Sequence, residues 1–200
     1  MNSDSLYINK IRLKSPIRFY LGVLARIPNY LKNNYTIFIA RRNGATIGDS
    51  VSIPLSLAKK ANKNLFIGNH TSIQTSKIDM RAPVNIGCNV ILGSNVEILT
   101  CSHNVDSPDW EFKSYGISIE DYVWIATNSL VLPSCTLIEK GAVIGGGSVV
   151  FKNIKSMNIV SGNPATFIRL RKDVHYNLCV EELRGNDLKR YLSTRFNFNK

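Results

Sequence analysis

Of the three histidines in the chain, His103 stands where an imidazole can do chemistry. It ends a short strand-like segment and opens a polar stretch, residues 104–116 (NVDSPDWEFKSYG), so its ring faces a surface rather than a core. An imidazole there can take up and return a proton near neutral pH, the task of a general base. Such a base gains from a partner that fixes its tautomer. Asp106 is the nearest carboxylate, with Asp109, Glu111 or a backbone carbonyl as alternatives. A histidine taken alone is more often a surface or satisfied structural residue, and that reading suits His70, at a corner, and His175, in the C-terminal flank. No metal is expected: position 108 is Pro and residues 104–116 hold no second histidine to share a zinc ion. Cys101 reads as a small buried side chain, not a nucleophile.

The elements that must position His103 follow a six-residue period. Ile119, Ile125, Val131, Leu137, Val143 and Val149 are six aliphatics at successive sixth positions. Earlier runs repeat it, as in Ile47 and Ile53, Ile67 and Ile73, and Ile86, Leu92 and Ile98. A helix needs a period near 3.6 and a plain strand needs 2. Six suits a coil in which each hexad gives one short strand and one corner, with its aliphatic stacked inward on the coils above and below. Val or small side chains recur four residues later, at Val51, Thr71, Val90, Val96, Val123 and Ser129, and Gly or Asn serves the corners. The small-residue frame slips by one near Leu137 and Ile138, which predicts a bulge there. Residues 54–66 and 104–116 break the period and are expected as loops thrown out from the coil.

The 200 residues are 44% apolar and 20% charged, the composition of one globular domain with a core of its own. No apolar run reaches the length of a membrane span, and the segment from Phe19 to Ala25 lacks a cleavage pattern, which argues against a signal peptide. The cysteines (88, 101, 135 and 179) include no Cys-x-x-Cys pair and read as reduced thiols in a cytoplasmic protein. The net charge of +11 sits on the flanks: residues 1–42 carry eight Lys/Arg and one Asp, and residues 166–200 carry eight Lys/Arg and four acids. Residues 43–165 are balanced, nine against nine. Ser15 and Pro16 start a helix, Pro28 should end or kink it near Ile27, and Ile17, Leu21, Leu24 and Leu31 form one stripe. Packing of that stripe against the body is the first reading, contact with an anionic membrane the second, and nucleic acid a distant third.

Four blocks in order resemble the hexapeptide-repeat acyltransferases, in particular their sugar and xenobiotic O-acetyltransferase branch. They are residues 100–106 (TCSHNVD), residues 119–125 (IEDYVWI) followed by Leu132 and Pro133, residues 141–150 (GAVIGGGSVV), and residues 162–165 (GNPA). The resemblance covers roughly residues 45–170 and departs at Ala126, Phe151 and Thr166, where the family more often has Gly, Thr and a basic residue. It implies an all-β fold, a left-handed parallel β-helix over residues 45–165. Short helical flanks would lie at 1–44 and 166–200. It also implies a homotrimer with acyl-CoA sites between subunits.

By the same resemblance, His103 is the general base of direct acyl transfer and Cys101 has no covalent role; Asp106 stays the nearest candidate to orient the base. Trp124, Ala126, Thr127, Gly145, Gly146 and Arg169 fall on the acetyl-CoA groove, with Lys152 or Arg171 as further phosphate contacts. Trp110 and Tyr115 are candidates to stack on an acceptor sugar. The implied activity is acetyl-CoA-dependent O-acetylation of a sugar hydroxyl in capsule or lipopolysaccharide biosynthesis. N-acetylation of a nucleotide-sugar amine or an antibiotic, and a catalytically silent assembly module, are the alternatives.

Overall fold

The computed structural model describes residues 3–196, so the outermost ends of both flanks, 1–2 and 197–200, lie outside the described residues. Its centre is a parallel β-helix of triangular section. Face one stacks Thr46–Ile47, Leu65–Ile67, Val84–Ile86, Ile117–Ile119 and Leu137–Ile138. Face two stacks Ser72–Ile73, Ile91–Leu92, Trp124–Ile125, Val143–Ile144 and Asn158–Ser161, closed by the antiparallel strand Thr166–Leu170. Face three stacks Lys77–Ile78, Glu97–Ile98, Leu130–Val131 and Val149–Val150.

Each coil visits faces one, two and three in turn, and its aliphatic residues fill the prism. Ile67, Ile86, Leu92, Ile98 and Ile125 have no solvent exposure. The residues four positions on, from Val51 through Ser129, are also buried and close the corners. Asn89, Asn95 and Asn128 take the left-handed backbone that those corners require, with φ of 57°, 57° and 62°. Glycine is needed for another reason where coils touch. A Cβ on Gly93 would sit 2.7 Å from the Thr127 backbone nitrogen of the next coil.

The frame does slip, but in a corner rather than as a strand bulge. The next inward aliphatic after Val131 is Ile138, seven positions on instead of six, and Ile144 and Val150 follow it. Leu137 and Val149 therefore turn outward, and Val143 is buried outside the prism core, against the sequence expectation. Both members of each pair are aliphatic, so hydrophobicity alone did not separate them. The extra residue is absorbed where Cys135 tucks into the core.

The two interruptions differ. Residues 54–66 are not a loop thrown outward: they hold helix α3 (Leu55–Lys60), whose Leu57 and Ala58 are fully buried against the first coil. The polar stretch after His103 folds as a hairpin, Cys101–His103 pairing antiparallel with Phe112–Ser114.

The helical flanks are larger than expected. Helix α1 (Ser3–Arg12) precedes helix α2 (Pro16–Arg42), 27 residues long, which starts on the Ser15 cap and does not end at Pro28. The hydrogen bond lost to Pro28 is outweighed because both ends of α2 are held. Phe19 stacks on Tyr191 at 5.0 Å and Arg26 binds the buried Asp187 at 2.9 Å. At the other end Asn33 donates to the Val51 carbonyl and Arg41 to that of Ile47. The stripe of Ile17, Leu21, Leu24 and Leu31 does not pack on the body: each is 59–74% exposed, and the packing face of α2 is the opposite one.

The C-terminal flank runs back along the corner between faces one and two. Arg171 donates to the carbonyls of Tyr122 and Gly141, His175 to that of Asn89, and Glu181 binds His70 at 2.5 Å. A short 3-10 helix, Val180–Arg184, ends at Gly185 with φ of 65°, and helix α4 (Leu188–Phe196) then packs against α1 and α2. Two helical pieces thus flank Gly185.

Candidate active site

His103 leaves face three at the corner leading to face one, where the hairpin lifts it into solvent. Its Nδ1 lies 2.8 Å from the Trp110 carbonyl oxygen. A carbonyl only accepts, so Nδ1 carries the proton and Nε2 presents a free lone pair. The ring is clamped by neighbours on the hairpin. Trp110 stacks on it with centroids 5.3 Å apart and planes 20° apart, and Phe112 meets it edge-on at 5.6 Å. Trp110 has a φ of 54°, an unusual backbone state for a large residue.

The expected role of Asp106 is corrected by this geometry: a backbone carbonyl fixes the tautomer. The loop turns on itself first, with the Asp106 N–H donating to Asn104 Oδ1 at 3.3 Å and the Ser107 N–H to the Asn104 carbonyl. That turn brings Trp110, not Asp106, to the imidazole.

A supporting layer lies beneath. The Arg81 guanidinium sits 5.6 Å from the Phe112 ring centroid and forms a two-pronged bond with Asp79, at 2.9 and 3.0 Å. Burial pushes the Asp79 carboxyl upward, but hydrogen bonds from Arg81 and Thr100 outweigh it and bring its pKa down to about 2. Asp79 also accepts the Thr100 N–H at the root of the hairpin. Sequence reasoning missed Asp79, Arg81 and Phe112; no spacing links the first two to a loop twenty residues on. Cys101 lies buried under the hairpin beside Ser114. Among the described residues no group of three or more side chains is placed to hold a metal ion.

A second cluster occupies the corner between faces two and three. Trp124 projects from face two, 45% exposed, and leads into Ala126 and Thr127. One coil up, Gly145 and Gly146 occupy the equivalent corner. The Ala126 N–H is spent on the Ile144 carbonyl, and the Gly147 N–H on that of Thr127. A Cβ on Gly145 would stand 2.5 Å from Ser161 Oγ, so that glycine answers to coil packing in the first place. Gly147, with φ of 68°, has open space where a Cβ would be. Arg169 lies exposed on the closing strand Thr166–Leu170.

The other predicted site residues divide between corners. Lys152 belongs to the corner of His103, not to that of Trp124. Arg171 is not available to a ligand phosphate, because its guanidinium is bound to coil carbonyls and to His175. Trp110 is engaged with His103, while Tyr115 is 47% exposed. The predicted site residues therefore fall on two different corners of the prism.

No family model matches the chain. It is 30% identical to the Escherichia coli galactoside O-acetyltransferase over 139 residues, 66% of this chain and 68% of that one. The provisionally named colanic acid biosynthesis acetyltransferase WcaF of the same species is 30% identical over 67% of this chain and 74% of its own length. A shorter stretch of 92 residues, spanning 44% of each chain, is 42% identical to a provisionally named acetyltransferase of Schizosaccharomyces pombe, C18B11.09c. Among solved structures, a hexapeptide-repeat acetyltransferase of Vibrio cholerae in complex with acetyl-coenzyme A superposes with a TM-score of 0.58 at 28% identity, over 67% of this chain and 75% of that one. Repeat, prism and relatives agree, and the chain belongs to the hexapeptide-repeat acetyltransferases.

Proposed function

We propose that this acetyltransferase moves an acetyl group from acetyl-CoA to a sugar hydroxyl on a surface-glycan precursor, by direct transfer with His103 as the general base. The observation that carries the reading is the imidazole itself: Nδ1 is committed to the Trp110 carbonyl, rings clamp the plane, and Nε2 is left open to solvent. Acetyl-CoA supplies an activated acyl carbon. His103 Nε2 takes the acceptor's hydroxyl proton as that oxygen bonds to the acyl carbon, and returns it to the sulfur as the carbon–sulfur bond breaks. Similarity to a galactoside O-acetyltransferase supports the sugar hydroxyl, and similarity to a colanic acid biosynthesis acetyltransferase supports the glycan setting.

Trp124, Ala126, Thr127, Gly145 and Gly146 would line the pantetheine arm, with Arg169 toward the phosphates. The open space above Gly147 suits a thin, flexible ligand running over that corner. Because His103 lies on another corner, the reading needs a second copy to bring the two half-sites together, with Lys152 joining from the side of His103. A homotrimer does this three times over. The four free cysteines suit a cytoplasmic enzyme. Calorimetry with acetyl-CoA tests the donor half: saturable binding weakened about tenfold or more in Arg169→Ala is expected, and no binding at millimolar ligand would remove the reading.

A further inference from the structure

Helix α2 is two-sided in an unusual sense. Its inward side carries Phe19, Thr36 and Ala40, all buried. Its outward side is also apolar: Ile17, Leu21, Leu24, Leu31, Tyr35 and Phe38 are 59–74% exposed. With Pro28 they recur at spacings of 4, 3, 4, 3, 4 and 3 residues, one continuous strip over about six turns, or some 30 Å. Globular proteins rarely leave so long an apolar strip open to water without a use for it.

The surrounding charge identifies the occupant. Between Asp4 and Asp49 the chain has no acidic residue, while Arg18 and Lys32 flank the strip, both exposed, and Lys14 and Arg42 stand at its two ends. A second copy of α2 laid on the strip would bring further cations toward Arg18 and Lys32 and no carboxylate to pair with them, unlike the paired charges that hold helices together. An anionic lipid surface answers both features at once: headgroup phosphates meet the flanking cations, and the acyl boundary receives the apolar strip. The tyrosines, with apolar rings and polar tips, suit that depth. No described helix is long and apolar enough to cross a bilayer, so the mode is contact along the surface.

We propose that the outward face of α2 docks the protein on an anionic membrane, the helix lying in the headgroup plane with Leu21, Leu24 and Leu31 inserted and Arg18 and Lys32 on lipid phosphates. The prism is then suspended from the bilayer by the face of α2 that packs on the first coil. This docking is independent of the acyl-transfer chemistry.

The test is co-sedimentation of the full chain with vesicles of phosphatidylcholine mixed with phosphatidylglycerol, and with vesicles of phosphatidylcholine alone. The wild type should be retained on the mixed vesicles and little on the neutral ones. The double variant Leu24→Asp/Leu31→Asp should lose at least about tenfold in partitioning, since two leucines leave the acyl boundary. Arg18→Gln/Lys32→Gln should lose about tenfold or more, and added salt should weaken the wild type in the same sense. All four positions are exposed, so the fold should survive; circular dichroism and acetyl-CoA binding check this and keep a failure of docking distinct from a failure of the enzymatic reading. The proposal is overturned if the wild type ignores anionic vesicles, or if the Asp variant is retained as well as the wild type. It is equally overturned if the wild type stays off vesicles and the Asp variant instead falls to a smaller assembly in sedimentation velocity, which would make the strip an interface between copies.

Discussion

At the residue scale, proton transfer in the proposed reaction depends on one nitrogen. Nε2 of His103 can accept a proton because Nδ1 already gives its own to the Trp110 carbonyl. This yields opposite expectations for two neighbours. Asp106→Asn should keep acetyl transfer within about threefold of wild type, since its carboxylate has no part in holding the ring. Arg81→Ala should lower kcat by about tenfold, leaving the KM for acetyl-CoA near its value, because Arg81 reaches the imidazole indirectly, through Phe112 and through Asp79 at the root of the hairpin. Arg81→Lys should rescue only part, having a point charge in place of a flat guanidinium. Steady-state kinetics on the three variants check both. His103 was legible in the sequence as the one histidine opening a break in the repeat. Its partner was not, because a backbone carbonyl carries no residue type and only the hairpin geometry reveals it.

At the element scale, stability rests on stacked coils and on the C-terminal strap. Gly93→Ala should cost about 2 kcal/mol or more, since its Cβ would meet the backbone of the next coil rather than a side chain that can move; thermal or denaturant unfolding measures it. The strap contributes a pH dependence through His70, whose pKa is raised above 6.5 chiefly by its hydrogen bond to Glu181. A raised histidine stabilises the fold fully below its unfolded pKa and loses that contribution as pH rises through the folded value. His175 acts in the opposite sense, since burial, aided by the charge of Arg171, outweighs its bond to the Asn89 carbonyl and lowers its pKa, so the two partly cancel in the wild type. The difference in melting temperature between wild type and His70→Gln should therefore be largest below about pH 6.5 and shrink toward pH 8. A constant difference across that range would contradict the linkage.

The six-residue repeat made the prism legible before any coordinate. Its limits are physical: in the pairs Leu137/Ile138, Val143/Ile144 and Val149/Val150 either residue could fill the core, and only the corner at Cys135 decides. Residues 54–66 were misread because a six-residue helix is too short to show a period of its own.

At the scale of the whole molecule, the flanks complete what the repeat begins. Helix α2 covers the first coil, and the C-terminal strap seals the corner between faces one and two. The corners left clear are the two that carry Trp124 with Thr127 and His103 with Lys152. That division predicts a trimer in sedimentation velocity and catalysis that no single chain performs. Chains carrying His103→Ala, mixed and reassembled with chains carrying Gly147→Trp, should regain activity that neither has alone, because some mixed sites draw both intact corners from different chains. The apolar stripe of α2 shows the limit of sequence at this scale. Periodicity shows that the stripe exists, but whether it faces the body or the outside depends on the opposite side, where Phe19, Thr36 and Ala40 took the packing role.

The role of His103 can be measured by release of CoA thiol from acetyl-CoA in the presence of glycoside acceptors, for wild type and His103→Ala at matched acetyl-CoA saturation. We predict that the variant binds acetyl-CoA as the wild type does and transfers at least about a hundredfold more slowly. Transfer by His103→Ala at the wild-type rate would contradict the account.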